Sequence, residues 1–204
     1  MTADDGQRLR ETRAFFGPRA AGWDDRFPGD EPRFEAAIAA LGPPEGGTVI
    51  DAGCGTGRAL GLLRAAVGPR GRIVGLDATP EMLGQAAARH LQDGAALVLG
   101  DATRLPLPEA SVDAVFAAGL LPHLPDPDAG LVELGRVTVR DGRLAIFHPI
   151  GRAALRARHG RPPSDDDPLN PDRLGPLLAA SGWRVISIDD GDDRYLALAE
   201  RAMR

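Results

Sequence analysis

A glycine-rich turn follows the first apolar strand of the sequence. Asp51 ends that strand, and Gly53, Gly55 and Gly57 follow at alternating positions. Glycine lets a backbone turn sharply and lets a ligand approach closely, because it carries no Cβ. A ligand held there lies beyond the carboxyl end of the strand, near the start of the next helix. The segment therefore predicts a ligand-binding turn.

The spacing of these glycines argues against a dinucleotide. The fingerprint G-x-G-x-x-G wants its third glycine where this sequence has Arg58, since Gly57 comes one residue early. The Asp51 carboxylate, two residues before the first glycine, is badly placed for a pyrophosphate but suits a cationic ligand.

Two further acids end the next two apolar runs. Asp77 closes the second run, 20 residues after Gly57, where an acid can bind both hydroxyls of a ribose. Asp101 closes the third run, and together with Ala102 it could read an adenine edge. Any one of these acids could be an ordinary turn or helix-capping residue. Three at successive strand ends favour a nucleoside site.

In order, the segments 51–57, 75–82 and 100–102 resemble the class I S-adenosylmethionine-dependent methyltransferases. The similarity is to the small-molecule branch that includes the quinone-biosynthesis C-methyltransferases, and it extends over roughly residues 45 to 150. Similar text also occurs at 105–108 and 121–126. The resemblance implies S-adenosyl-L-methionine as cofactor and a Rossmann-like α/β sandwich. Its sheet would have seven mostly parallel strands, one of them antiparallel, with helices on both faces.

The resemblance also implies roles for individual residues. The three glycines of the turn would lie under the methionine part and the ribose, and Asp51 would lie near the positive amino end. The other implied cofactor contacts are Asp77 and Ala78 at the ribose, Met82 beside the adenine, Asp101 and Ala102 at the adenine edge, and Ala117 on the methionine side.

Two histidines are the candidate catalytic residues. A general base is needed only if the methyl acceptor carries a proton at neutral pH. His123 follows the fourth predicted strand, and His148 ends the fifth. Each has a structural alternative, since His123 could pack as a helix-capping side chain and His148 could be a hydrogen-bonded strand-end residue.

Short apolar runs alternate with helical stretches from residue 48 onwards, which predicts a mostly parallel sheet covered on both faces. A tight Asp-Gly-Asp-Asp turn then joins two last strands as a hairpin, so one strand at the far end must be antiparallel. The predicted strands are 48–51, 72–77, 96–101, 112–117, 143–148, 183–188 and 194–199. The predicted helices are 33–41, 57–67, 80–91, 126–138 and 171–181.

We expect a single domain over residues 1–204. It comprises an N-terminal helical cap (1–45), a cofactor-binding core (46–148), a mobile, lid-like crossing segment (149–170), and a C-terminal helix with the strand hairpin (171–204). Phe15, Phe16 and Trp23 could cover the active site, but packing of an N-terminal helix on the sheet explains them better.

Composition excludes several classes of function. The chain has 204 residues and a net charge of -5, and all its positive side chains are arginines. Schiff-base and P-loop lysine chemistry are therefore excluded, and the single cysteine, Cys54, excludes an internal disulfide. We expect no nucleic-acid partner, no metal and no membrane span. We expect a cytoplasmic location.

The function predicted from the sequence is methyl transfer from S-adenosylmethionine to a small-molecule acceptor by in-line displacement. Two alternatives stay open: a non-catalytic protein that binds the cofactor, and a nicotinamide-dependent oxidoreductase on a similar fold.

Overall fold

One seven-stranded sheet forms the centre of the protein, with the strand order β3-β2-β1-β4-β5-β7-β6. The computed structural model describes residues 3–90, 94–158, 160 and 164–202. The strands are β1 (Thr48–Ala52), β2 (Arg72–Asp77), β3 (Ala96–Leu99), β4 (Val112–Ala118), β5 (Thr138–His148), β6 (Trp183–Asp190) and β7 (Tyr195–Arg201).

The helices are α1 (Ala3–Phe16), α2 (Glu31–Leu41), α3 (Leu60–Val67), α4 (Pro80–His90), α5 (Pro127–Val137), α6 (Arg152–Arg158) and α7 (Pro171–Ala180). Three short 3₁₀ helices lie at Gly17–Gly22, Asp24–Arg26 and Leu121–His123. Among the helices described, none has the length and apolar character that a membrane span requires.

The sheet is parallel except for one strand. β1 to β5 pair in parallel, whereas β7 pairs antiparallel with both β5 and β6. The predicted single antiparallel strand is confirmed. It lies one position in from the edge, because the hairpin places β7 against β5 and leaves β6 outermost.

The order of the strands reverses at β1, which has β2 on one side and β4 on the other. Asp51 is opposite Gly75 of β2 and Phe116 of β4. Parallel sheets bind ligands at this kind of switch point, in the crevice beyond the carboxyl ends of the strands. The glycine-rich turn that follows β1 therefore lies at the mouth of that crevice.

Alternating side chains of the central strands build a core on each face of the sheet. Ile50, Val115 and Ile146 belong to one core, which also includes residues of α5 and α7. Val49, Phe116 and Phe147 belong to the other, which also includes residues of α2 and α3. Both faces are thus covered by helices, as a mostly parallel sheet requires.

Four local predictions differ from the structure. The helix expected from residue 57 begins at Leu60, because the glycine-rich turn extends further. β5 begins at Thr138 rather than 143, and it takes in Asp141, whose φ of 60° makes an irregularity within the strand. β3, expected over 96–101, ends at Leu99. The segment 149–170, expected as a mobile, lid-like crossing segment, contains α6. Residues 159 and 161–163 of that segment lie outside the described part of the chain.

Candidate functional site

Asp51 is a buried carboxylate beneath the glycine-rich turn, which we call the glycine loop (residues 53–58). Asp51 is 1% exposed, and its Oδ1 atom has no hydrogen-bond partner among the described residues. Burial, together with the nearby charge of Asp77, raises the pKa of Asp51 to about 8. A buried oxygen without a donor is costly, so the site fits a ligand that brings a positive, hydrogen-bonding group.

The glycine loop leaves room for such a ligand. Gly53, Gly55 and Gly57 have φ angles of 76°, 54° and 83°, a region that side chains with a Cβ rarely enter. A Cβ built on Gly55 would meet no atom within 4 Å. The loop is therefore bare on that side, and a ligand can lie directly against its backbone.

Asp77 joins the end of β2 to the glycine loop. Its Oδ2 accepts a hydrogen bond from the Gly55 N–H at 2.9 Å, and its Oδ1 accepts one from the Thr79 N–H at 2.8 Å. Burial raises the pKa of Asp77, and these backbone hydrogen bonds oppose the rise. Each carboxylate oxygen has a second lone pair, so Asp77 can still accept hydrogen bonds from ligand hydroxyls.

The other predicted cofactor contacts lie at or just beyond the carboxyl ends of β2, β3 and β4. Met82, Ala102 and Ala117 are buried, at 2%, 4% and 0% exposure. Asp101 Oδ1 accepts a hydrogen bond from the Thr103 N–H at 2.8 Å. The Ala78 carbonyl accepts one from Arg13 Nε at 2.7 Å, so α1 is fixed beside this edge of the sheet. Contact of these residues with an adenosine stays a prediction.

His148 lies at the end of β5 and is largely buried. Its Nδ1 lies 3.1 Å from the Ile150 carbonyl oxygen. Burial lowers the pKa of His148 to about 4, with smaller effects in the same direction from the charges of His123 and Arg158. The imidazole is therefore neutral near pH 7, the form that can accept a proton.

His123 is an exposed residue in the 3₁₀ helix after β4. It borders a pocket of about 270 Å³ together with Glu11, Thr12 and Pro125. Its ring packs edge-on against Phe16, with the ring centroids 5.0 Å apart. Both histidines thus lie near the carboxyl edge of the sheet, and their role in catalysis stays a prediction.

The N-terminal aromatic residues do not pack on the sheet, and the expectation that they would is wrong. Neither core contains Phe15, Phe16 or Trp23. Instead Phe16 contacts Trp23 at 5.5 Å between ring centroids, and Trp23 contacts Phe27 at 5.3 Å. The core that contains Val49 and Phe116 is instead covered by α2 and α3.

Sequence reasoning missed the polar contacts that hold this N-terminal segment on the glycine loop. Thr56 Oγ1 donates a hydrogen bond to Asp24 Oδ1 at 2.8 Å, and Arg58 donates one to the Phe27 carbonyl at 3.0 Å. The two residues of each pair are about 30 positions apart in the chain, so no local sequence pattern predicts these contacts. From the sequence, Arg58 is recognisable only as the residue at the position where the dinucleotide fingerprint has its third glycine.

The remaining chemistry of the site is limited. Cys54 is 7% exposed, and burial raises the pKa of its thiol, which disfavours the reactive thiolate. Within the described ranges, no three His, Cys, Asp or Glu residues are grouped as a metal site would require.

Comparison with known proteins agrees with this geometry. Residues 50–146 match the sequence profile of the family described as "Methyltransferase domain". The chain is 40% identical over 113 residues to an uncharacterised 37.1 kDa protein in transposon TN4556 of Streptomyces fradiae, a match that covers 55% of this chain and 33% of that protein. It is 38% identical over 117 residues to a malonyl-[acyl-carrier protein] O-methyltransferase of Laribacter hongkongensis, covering 53% of this chain and 39% of the relative.

A solved structure shares the fold along nearly the whole chain. It is a SAM-dependent methyltransferase from Aquifex aeolicus, with a TM-score of 0.71 and 23% identity over 95% of this chain and 98% of that one. By contrast, the chain spans only a third to two fifths of the length of the two curated relatives.

Proposed function

We propose that residues 50–146, which match the family described as "Methyltransferase domain", form a class I domain that binds S-adenosylmethionine, and that this chain is an enzyme that transfers the cofactor's methyl group to a small-molecule acceptor. The observation that carries the proposal is the buried Asp51 carboxylate with its unpartnered Oδ1, beside Asp77 and beneath a bare glycine loop. A ligand with a cationic amino group and a ribose satisfies all three features.

The residues of the chain bind and orient the cofactor. Asp51 offers its Oδ1 to the amino group, and its ionised form is favoured by a neighbouring positive charge. Asp77 accepts hydrogen bonds from the ribose hydroxyls while holding Gly55 in place. Asp101 and Ala102 stand at the edge where the adenine would lie, with Met82 beside them.

Little further chemistry is asked of the protein. S-adenosylmethionine supplies an electrophilic sulfonium methyl, so the enzyme must hold the acceptor in line behind it and exclude water. Proximity and orientation can supply several kcal/mol of such a barrier. His148 is neutral near pH 7 and can take a proton from an acceptor that carries one.

Two observations support a small molecule as the acceptor. A pocket of about 270 Å³ borders His123, one of the two candidate catalytic residues, where a small acceptor could bind. The net charge of -5 is opposite in sign to what a nucleic-acid acceptor attracts. One relative is named a malonyl-[acyl-carrier protein] O-methyltransferase. The cytoplasmic location and the division of the chain at residues 45, 148 and 170 remain predictions.

Isothermal titration tests the cofactor-binding part of the proposal. S-adenosylhomocysteine and S-adenosylmethionine should bind, whereas NADH should not, because the glycine spacing does not suit a pyrophosphate. Binding of NADH alone would overturn the assignment in favour of an oxidoreductase. Binding of both adenosyl ligands without turnover on any acceptor would favour a non-catalytic cofactor-binding protein.

A further inference from the structure

We propose that Asp24 is a positioning residue of the cofactor site. Its carboxylate holds the cap segment (residues 17–30) on the glycine loop, and the cap must lift off before the cofactor can enter or leave. The inference rests on the proposed function, because S-adenosylmethionine is the ligand whose exchange it describes.

The carboxylate of Asp24 contacts three side chains on two different elements. It accepts the hydrogen bond from Thr56 Oγ1 at 2.8 Å and lies 3.8 Å from Arg58 Nε, and both partners belong to the glycine loop. It also pairs with the guanidinium of Arg89 on α4. A single side chain thus joins the cap to the loop after β1 and to the helix after β2.

Arg58 fixes the other end of the cap. Its guanidinium donates to the Phe27 carbonyl at 3.0 Å, lies 3.4 Å from Asp30 Oδ2, and stacks 4.9 Å from the centroid of the Phe34 ring. The side chains of Arg58 and Asp30 are only 19% and 10% exposed, so solvent and salt screen this pair less than a surface pair. Arg58, which occupies the position of the fingerprint's third glycine, therefore helps to hold the cap on the glycine loop.

Polar contacts attach the cap to the glycine loop. Ala20 and Asp30 are its buried residues, and neither core includes any residue from 17 to 30. Segments with few buried apolar contacts open locally at low free energy. We therefore expect the contacts of Asp24 and Arg58 to contribute strongly to how often the cap opens.

The cap lies against two elements that border the predicted cofactor site, the glycine loop and α4. At one end Arg13 bonds to the Ala78 carbonyl, and Gly17 lies against the Glu81 side chain of α4. At the other end Asp24 bonds to Thr56, which is 2% exposed. Asp51 lies beneath with 1% exposure. With the cap in this position, the Asp51 carboxylate is buried from solvent, next to the glycine loop to which the cap is bonded.

This arrangement predicts a kinetic signature that a supporting role would not give. When only the open form admits a ligand, the apparent association rate is the intrinsic rate multiplied by the open fraction. Weakening the contacts of Asp24 raises the open fraction, so association and dissociation of the ligand both become faster. A residue that only supports the bound state changes the dissociation rate alone.

The test is stopped-flow binding of S-adenosylhomocysteine to the full chain, followed by the fluorescence of Trp23, which adjoins Asp24. Asp24→Asn should raise both rate constants by at least about fivefold, with Kd changing by less than about threefold. Arg89→Gln should act in the same direction with a smaller effect. Asp25→Asn is the matched control, because it removes an exposed neighbouring carboxylate, and it should leave both rates unchanged. Faster dissociation with unchanged association, or no change in either rate, would overturn the proposal.

Amide hydrogen exchange of the cofactor-free chain tests whether Asp24 holds the cap closed, independently of the proposed function. In Asp24→Asn, amides of residues 17–30 should exchange about tenfold faster, while those of β1 and β4 keep their wild-type rates. If S-adenosylhomocysteine does not bind the wild-type chain, the proposed function fails. The exchange rates still show whether Asp24 holds the cap on the glycine loop. Unchanged exchange at 17–30, or an equal acceleration throughout the chain, would refute it.

Discussion

The buried carboxylate of Asp51 should make the cofactor-free protein less stable as the pH rises. An aspartate in an unfolded chain ionises near pH 3.9, whereas burial and the charge of Asp77 raise the pKa of Asp51 to about 8 in the folded chain. Between these values the unfolded state binds fewer protons than the folded state. The free energy of unfolding then falls by up to about 1.4 kcal/mol for each pH unit.

His148 sets the pH window in which this effect can be isolated. Burial lowers the pKa of His148 to about 4, so below about pH 6.5 the unfolded state binds the additional proton and stability rises with pH. The two effects oppose each other below that point. Above it the contribution of Asp51 dominates, and from about pH 6.5 to 8 it should lower the free energy of unfolding by about 1.5–2 kcal/mol.

The perturbation is Asp51→Asn, measured by urea unfolding of the cofactor-free chain at several pH values in that window. The variant cannot ionise, so its stability should fall much less than that of the wild type. Asp25→Asn, at an exposed position, should keep the wild-type slope.

Ligand binding should show the same linkage in reverse. The cationic amino group of S-adenosylhomocysteine favours ionised Asp51, so its binding should release a proton and tighten as the pH rises towards 8. In Asp51→Asn the affinity should be weaker and nearly independent of pH. Equal pH slopes of stability in the wild type and in Asp51→Asn would refute this assignment of the buried charge.

Three further predictions concern single residues. Asp77→Ala should weaken S-adenosylhomocysteine binding at least about tenfold in isothermal titration, since a charged hydrogen bond contributes roughly 1.5–3 kcal/mol; unchanged affinity in a folded variant would exclude the ribose role. Gly55→Ala should cost about 1–2 kcal/mol in thermal unfolding, because its φ is 54°, and should reduce affinity more strongly, because its methyl group enters the open space above the loop; wild-type affinity would contradict that placement. The His148 imidazole should stay neutral down to about pH 5 in ¹⁵N NMR, assigned with His148→Gln, and a titration midpoint near 6.5 would show that it is not buried in solution.

The parts of the fold that depend on local pattern could be predicted from the sequence. The apolar strands ending at Asp51 and Asp77 and the glycines between them carry their own signals, because burial on both faces and tight turns restrict residue type locally. The hairpin of β6 and β7 followed from the short turn that joins them. The position of the hairpin within the sheet could not be predicted in this way, because it depends on β7 pairing with the free edge of β5.

The cap could not be predicted in the same way. The contact of Asp24 with Thr56 depends on tertiary position, and no spacing rule brings together residues 32 positions apart. Phe16 and Trp23 were expected in a core because burial is the usual fate of aromatic side chains. They contact each other instead, and Phe16 also contacts His123, which is too far away in the chain for a local pattern to reveal.

Methyl transfer to a small molecule is tested most directly with S-adenosylmethionine carrying a ¹³C-labelled methyl group. The purified chain is incubated with this cofactor and with a cell extract that has been separated into small-molecule, protein and nucleic-acid fractions. The account predicts label in a product of the small-molecule fraction, and loss of that product with Asp77→Ala. Label confined to protein or nucleic acid, or no labelled product although the cofactor binds, would contradict it.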